Sequence, residues 1–456
     1  MPTPVDVVNI QPMAENDRGA PASRVPTMSL RGAVFLGIGA MVGAGIFALL
    51  GEAGAVAGSA LWLSFLVAGL ISLALGYAMA KLGVRYPSSG GLITYLVKGF
   101  GNGRLVGIAS WLGYLTAIVV VGAMVAVSFG DYAASIIVGG DASSAWTNLF
   151  ASLILVASAL LVIVGPQSVD RTQSAIVVAL LAVFAVFVCV TLANLNPHLL
   201  APSGYPSARA FVSSIALTFF SYLGFAVISF AAGDLRRPER ELPRAMYISI
   251  SATTVLYVAV ALGVFGVLTV AQVVDYGPTA IAEAARPALG EAGYVAMVIA
   301  ALLATSSSVT ATLYASSGLT SALAEVGQFP PMFGRQSRFG KNGGLLITTV
   351  FTLLFVNVFN LGALVSIGSA VSLAVFVLVG VAAFRLRREL AAKAWVILAA
   401  ILSSGAVLVV FTIDTVREDR RAFWALVGIV TLAAVVDGVW RRRRKQPGPE
   451  HLPLPS

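Results

Sequence analysis

Three glycines fall within Gly39-Ala-Met41-Val42-Gly43-Ala44-Gly45, ahead of Ile46-Phe47, in the middle of the first long apolar run. Glycine is about 1 kcal/mol worse than alanine inside a helix, so the cluster marks a place where a membrane helix can break. A break bares backbone N–H and C=O groups, which cost several kcal/mol each against lipid and survive only where protein or a polar cavity satisfies them. Such a stretch is a candidate binding site built from the backbone itself. The Gly39/Gly43 spacing equally suits close helix packing through small residues, and both readings stay open on this motif alone.

Other chemistry finds few residues to work with. Cys189 is the single cysteine, and His198 and His451 lie far apart outside the apolar runs, which leaves no disulfide framework and no Cys/His metal cluster. Catalytic triads and metal hydrolysis lack their parts, so no enzyme and no cofactor is expected. The glycine–lysine signature of a phosphate-binding loop is absent, which argues against direct use of ATP.

The chain that must position the glycines has 456 residues, 58% hydrophobic and 11% charged. Soluble domains carry about 25% charged residues, so the composition is that of an all-α polytopic membrane protein. Runs near 20 residues can cross the roughly 30 Å hydrocarbon core as helices. Twelve are expected, near 31–56, 59–83, 105–130, 147–165, 173–194, 209–232, 246–270, 292–315, 344–359, 362–384, 394–413 and 421–440. Only Asn360-Leu-Gly362 separates the ninth from the tenth. Residues 1–29 read as a disordered cytoplasmic tail, 30–390 as a ten-helix core, 391–440 as two further helices, and 441–456 as a basic and then Pro-rich tail.

With the N-terminus inside the cell, only Arg209, Arg286, Arg417, Arg420 and Arg421 of 29 basic residues fall outside. That bias puts both termini in the cytoplasm of an inner or plasma membrane. The run Arg441 to Lys445 then reads as an anionic-lipid contact or stop signal, and no nucleic-acid partner is expected. Charge is confined to tails, loops and the ends of spans, with Asp437 among the deeper cases, so a binding site must work with neutral groups.

Ser221-Tyr222-Leu223-Gly224 interrupts the sixth run 12 residues after Arg209, as Gly43 lies 12 residues after Arg31. Five spans separate them, so the two helices run in opposite directions. This is the pattern of two inverted five-helix repeats, helices 1–5 and 6–10, with broken helices 1 and 6.

Four motifs in order resemble the amino acid–polyamine–organocation superfamily, specifically its amino acid permeases. They are Gly43-Ala44-Gly45-Ile46-Phe47, Arg85-Tyr86-Pro87-Ser88-Ser89-Gly90-Gly91, Phe219 to Phe225 continuing through Gly233 to Ala245, and Ala315-Ser316-Ser317-Gly318 with Gly327-Gln328-Phe329-Pro330. The resemblance spans about residues 30–390 and implies the leucine-transporter fold and alternating access. It also implies that the amides around Ala44, Gly45 and Ile46 hold a substrate carboxylate, and that carbonyls near Met41, Phe220 and Leu223 accept from the α-ammonium. Gly43, Ser221 and Gly224 complete the two breaks, and Phe220, Tyr222 and Phe225 are candidates to wall the side-chain pocket.

Departures from the family pattern narrow the substrate. Ala226 stands where many relatives carry an acid, and Leu180 where some proton-coupled relatives carry a lysine. Cationic substrates need a buried counter-charge, so a neutral or apolar amino acid is expected. Thr305-Ser306-Ser307-Ser308 resembles the Thr-Ser pair of sodium-coupled members, which implies a possible sodium site of Gly39, Val42, Thr305 and Ser306, with a proton as the other coupling ion. Hydroxyls that bond to their own helix are the plainer account. The segment Asp234 to Arg244 is expected to pair with Arg85 or the N-terminal tail as an inner gate, unless it is a solvated charge run. Alternative functions are an exchanger or permease for another small metabolite, such as an amine or organic cation, and a transport-inactive sensor on the same scaffold. Oligomeric state is open.

Overall fold

A computed structural model describes residues 28–445 apart from 89, 102, 140–142, 165–168, 231, 233–234, 326, 335–342 and 419. The two terminal tails therefore lie outside the described residues, apart from Met28 and Ser29 and the basic residues 441–445, which continue the last helix, and so do Ser89, Gly233 and Asp234 of the quoted motifs. The described chain is helical, with one isolated parallel β-bridge between Met28 and Leu235. Nine stretches among the described residues are long and apolar enough to cross a membrane. Shorter apolar helices cover Leu30–Gly43, Gly91–Phe100 and Gly343–Val358, so the twelve expected runs do not all reach spanning length as unbroken helices.

The first run is two helices, α1 (Leu30–Ala44) and α2 (Ile46–Ala57), divided at Gly45. Ser29 caps α1 by accepting from Gly32 N at 3.2 Å, which fixes where the helix starts. Next come α3 (Leu61–Arg85), α4 (Gly91–Phe100) and α5 (Arg104–Tyr114). A π-helical stretch, Leu115–Val120, joins α5 to α6 (Val121–Ile137). After α7 (Ser144–Val164) and α8 (Val169–Ala193), the sixth run is again divided, into α9 (Ala208–Phe220) and α10 (Phe225–Phe230).

Then follow α11 (Pro238–Val267), the short α12 (Val270–Tyr276) and α13 (Ala280–Glu325), which turns sharply at Gly290 (φ 63°). The doubtful division between the ninth and tenth runs is real. The helix α14 (Gly343–Val358) stops before Asn360, whose side chain accepts from Ala363 N at 2.9 Å to start α15 (Leu361–Arg385). Two more helices, α16 (Ala394–Glu418) and α17 (Arg420–Lys445), end the described chain. These match the last two expected runs, whereas α4 and α12 have no counterpart among the expected runs.

Contacts sort the helix ends into two sets. At one end Met28 pairs with Leu235, the Tyr86 hydroxyl donates to Glu389 at 2.8 Å, and Trp440 Nε1 donates to Gly327 O at 3.1 Å. Arg441 at that end bonds Gly103 O at 2.8 Å and pairs with the buried Asp437. At the other end Arg209 and Ser213 both donate to Asp414, and Thr147 donates to Asp131 at 2.9 Å. The bridge at Leu235 seats the N-terminal approach on the turn after α10, where the gate segment was expected to pair.

Candidate functional site

The two divided runs meet each other. A methyl group on Gly224 would stand 2.5 Å from Met41 N and 2.6 Å from Ala40 C, both backbone atoms that cannot move aside. One on Gly45 would stand 2.8 Å from Ser221 O, 2.7 Å from Met41 O and against the Tyr257 hydroxyl. Glycine is required at both places by close approach alone.

Neither break is an open loop. Gly45 N donates to Met41 O at 2.7 Å, and Leu49 N to Gly45 O at 2.9 Å, so α1 passes into α2 with one residue out of line. In the sixth run Ser221, Tyr222 and Leu223 donate to Thr218, Phe219 and Phe220, each three residues back, at 3.0 to 3.2 Å. Phe225, Ala226 and Val227 repeat the pattern, so the chain tightens through the break. The Phe220 and Leu223 carbonyls each accept one bond and keep a second lone pair.

Tyr257 on α11 ties the breaks together, and sequence reasoning missed it. Its side chain is fully buried, and its hydroxyl donates to Met41 O at 2.6 Å and lies 3.2 Å from Ser221 O. The ring packs against Phe65 and Tyr222, with centroids 5.0 and 5.2 Å away. One visible signal was a tyrosine inside an apolar run, since a buried phenol needs a partner.

The expected site residues take different places. Met41, Ile46 and Phe220 to Phe225 are buried beside the breaks, except that Gly224 is half-buried. Tyr222 donates to Phe65 O at 2.9 Å, which fastens the break to α3. Phe220 lies on Gly368 of α15, and Phe225 packs on Phe376 at 5.2 Å. Ser221 Oγ is buried without a hydrogen-bond partner. Gly43 serves the packing seam, since a methyl there would meet Ala304 O and Ser308 Cβ on α13 at 2.6 and 2.7 Å. Of Ala44, only the backbone falls within the described residues.

The hydroxyl run on α13 also divides. Thr305 is buried and donates to Ala301 O at 2.6 Å, and Ser308, one turn on, is the residue that meets α1 at Gly43. Ser306 donates to Leu303 O at 3.0 Å and shares a helix face with Thr310, which bonds Ser158 of α7. Gly39 and Val42 are buried in α1.

A small cavity opens beside the sixth-run break. Leu223, Ala226 and Phe230 form one wall, Thr116 and Ala117 of the π-helical stretch another, and Ser372 of α15 a third. Every lining residue is uncharged, and the polar side chains among them are the Thr116 and Ser372 hydroxyls. Ser372 donates to Gly368 O of its own helix at 2.5 Å, and the surface of the cavity is almost wholly apolar. A π-helical bulge is a frequent mark of a functional position, and here it carries the Thr116 side of the cavity.

A family model described as amino acid permease matches residues 28–435. The inner membrane transport protein YbaT of Escherichia coli is 33% identical over 417 residues, covering 91% of this chain and 97% of its own. The branched-chain amino acid permease BcaP of Bacillus subtilis is 28% identical, covering 78% and 79%. A methylthioribose transporter of Bacillus subtilis is 26% identical, covering 80% and 81%.

Proposed function

The chain belongs to the amino acid permeases of the amino acid–polyamine–organocation superfamily, and we propose that it carries a neutral, apolar zwitterionic amino acid by alternating access. The cavity carries this reading. It adjoins the sixth-run break at Leu223, is walled by apolar side chains, and offers neither a carboxylate for a cationic side chain nor a cation for an acidic one. The similarity to a branched-chain amino acid permease points the same way.

In this reading the chain spans the inner membrane twelve times as a five-plus-five inverted repeat with two further helices, and the end that holds Met28, Glu389 and Trp440 is cytoplasmic. The substrate carboxylate takes the amides around Ala44, Gly45 and Ile46. Because Gly45 N–H is held by Met41 O, binding there exchanges that bond for one to substrate. The α-ammonium takes carbonyls near Met41, Phe220 and Leu223, and the side chain enters the cavity.

Uptake into liposomes tests the substrate class. Accumulation of leucine, isoleucine or valine without accumulation of arginine or putrescine is the expected result, and the reverse pattern refutes it. A ligand that shifts thermal stability with no flux would instead identify a sensor. The second reading, a permease for an uncharged metabolite, is favoured by the methylthioribose transporter relative. Competition between leucine and methylthioribose for uptake separates the two.

Ala226→Glu puts a carboxylate into the cavity wall at a position only 7% exposed. An uncompensated buried charge costs several kcal/mol, so leucine uptake at low concentration is expected to fall at least about a hundredfold. For coupling, the proposed sodium ligands are the Gly39 and Val42 carbonyls with the Thr305 hydroxyl; Ser306, expected from sequence to join them, instead shares the side of α13 that faces Ser158 of α7. Uptake driven by an imposed sodium gradient is expected to fall about tenfold or more in Thr305→Val, the loss of one neutral ligand. Wild-type uptake that ignores sodium and follows a proton gradient removes that assignment.

A further inference from the structure

The end of the molecule that gathers Met28, Tyr86 and Trp440 also carries a cationic corner built from three helices. Arg85 at the end of α3 and Lys98 in the last turn of α4 stand 5.7 and 5.5 Å from the centre of the Tyr86 ring. Arg385 at the end of α15 lies 4.6 Å over Phe100 and donates to Gly99 O at 3.4 Å. All three cations are exposed, and among the described residues none forms an ion pair. Lys81 joins them by donating to Ala391 O at 3.5 Å, in the turn that also holds Arg388 and Lys393.

Glu389 is the acid in that turn, and it is occupied by the Tyr86 hydroxyl at 2.8 Å. The bond to Glu389 raises the Tyr86 pKa above its ordinary value, so the ring adds no negative charge of its own. Lys81, Arg85, Lys98, Arg385, Arg388 and Lys393 outweigh the single charge of Glu389, so the corner is net positive at the level where two apolar helices, α3 and α15, leave the hydrophobic layer.

We propose that this corner binds the headgroup of an anionic phospholipid of the adjacent leaflet, with the phosphate between Arg85, Lys98 and Arg385. Charge complementarity alone would admit any anion. The Tyr86 and Phe100 rings, set among the cations at the membrane edge, favour a ligand that also supplies acyl chains and glycerol. The binding has a mechanical consequence. Leu92 and Ile93 of α4 and Val375 and Phe376 of α15 line the cavity, and α4 rests on α15 where Gly99 meets Ala382. A headgroup shared by Lys98 and Arg385 ties together the outer ends of two helices that wall the cavity.

Thermal unfolding of the full chain in nanodiscs tests the site. In phosphatidylcholine nanodiscs, increasing fractions of phosphatidylglycerol are expected to raise the unfolding temperature of the wild type to a plateau. Lys98→Gln and Arg385→Gln are each expected to raise the half-saturating lipid fraction about fivefold, the effect of one basic residue near a membrane surface. Lys98→Arg should keep the wild-type response. Arg240→Gln and Arg244→Gln, exposed cations at the start of α11, should leave the dependence unchanged. The proposal is overturned if phosphatidylglycerol gives no rise, or if the α11 variants weaken it as much as the corner variants. An equal rise from inorganic phosphate in phosphatidylcholine nanodiscs overturns it as well, in favour of a free-anion site. Each comparison is made within one variant between two lipids, so a lower starting stability does not obscure it.

Discussion

Gly45→Leu abolishes both uptake and the thermal shift produced by substrate, and this is the largest effect expected of any single substitution at the breaks. The backbone dihedrals at Gly45 (φ −95°, ψ −75°) do not demand glycine. Space does. The first added carbon meets the Met41 and Ser221 carbonyls at 2.7 and 2.8 Å as well as the Tyr257 hydroxyl, and the remaining three carbons have nowhere to go. Even Gly45→Ala forces the three partners apart, and overpacking of this kind typically costs about 1–3 kcal/mol. Thermal unfolding of the substrate-free variants is expected to show that cost, because the close approach exists without substrate. Substrate binding retained in Gly45→Leu would show that the first-run break is not part of the site.

How far the sequence could lead is clearest at neighbouring glycines. Gly43 and Gly45 looked alike as letters, and packing and breaking were both open for the pair. In the folded chain Gly43 is a packing contact with α13 and Gly45 is the break, a distinction set by which face of α1 each presents. The break at Ser221 to Gly224 was legible because polar residues and a glycine interrupt an apolar run. Neither run revealed that the two breaks touch each other, since that depends on contacts between residues about 180 positions apart. The hydroxyls of α13 were legible as a group, yet helical rotation sends Thr305 and Ser308 toward one side and Ser306 toward another. The ten-residue α4 was too short to stand out by hydropathy, although it supplies part of the cavity wall.

Tyr257 shows the same limit and supplies the second large effect. A tyrosine within an apolar run can point toward lipid, core or a partner, and nothing in its neighbours says which. Here it reaches from α11 to carbonyls of both breaks, so one hydroxyl on a third helix sets the distance between them. Tyr257→Phe keeps the ring contacts with Phe65 and Tyr222 and removes only that hydroxyl. The phenol's one proton goes to Met41 O, which then keeps the bond from Gly45 N alone, and Ser221 O loses its 3.2 Å contact with the hydroxyl. Loss of a buried hydrogen bond costs about 0.5–1.5 kcal/mol, so the unfolding temperature is expected to drop and uptake to fall up to about tenfold. Side-chain preference, set by the cavity lined by Leu223 and Ala226, should stay as in the wild type, because no cavity residue changes. A packing role alone predicts wild-type stability and uptake in Tyr257→Phe. That outcome would leave the two breaks held only by the glycines that let them touch.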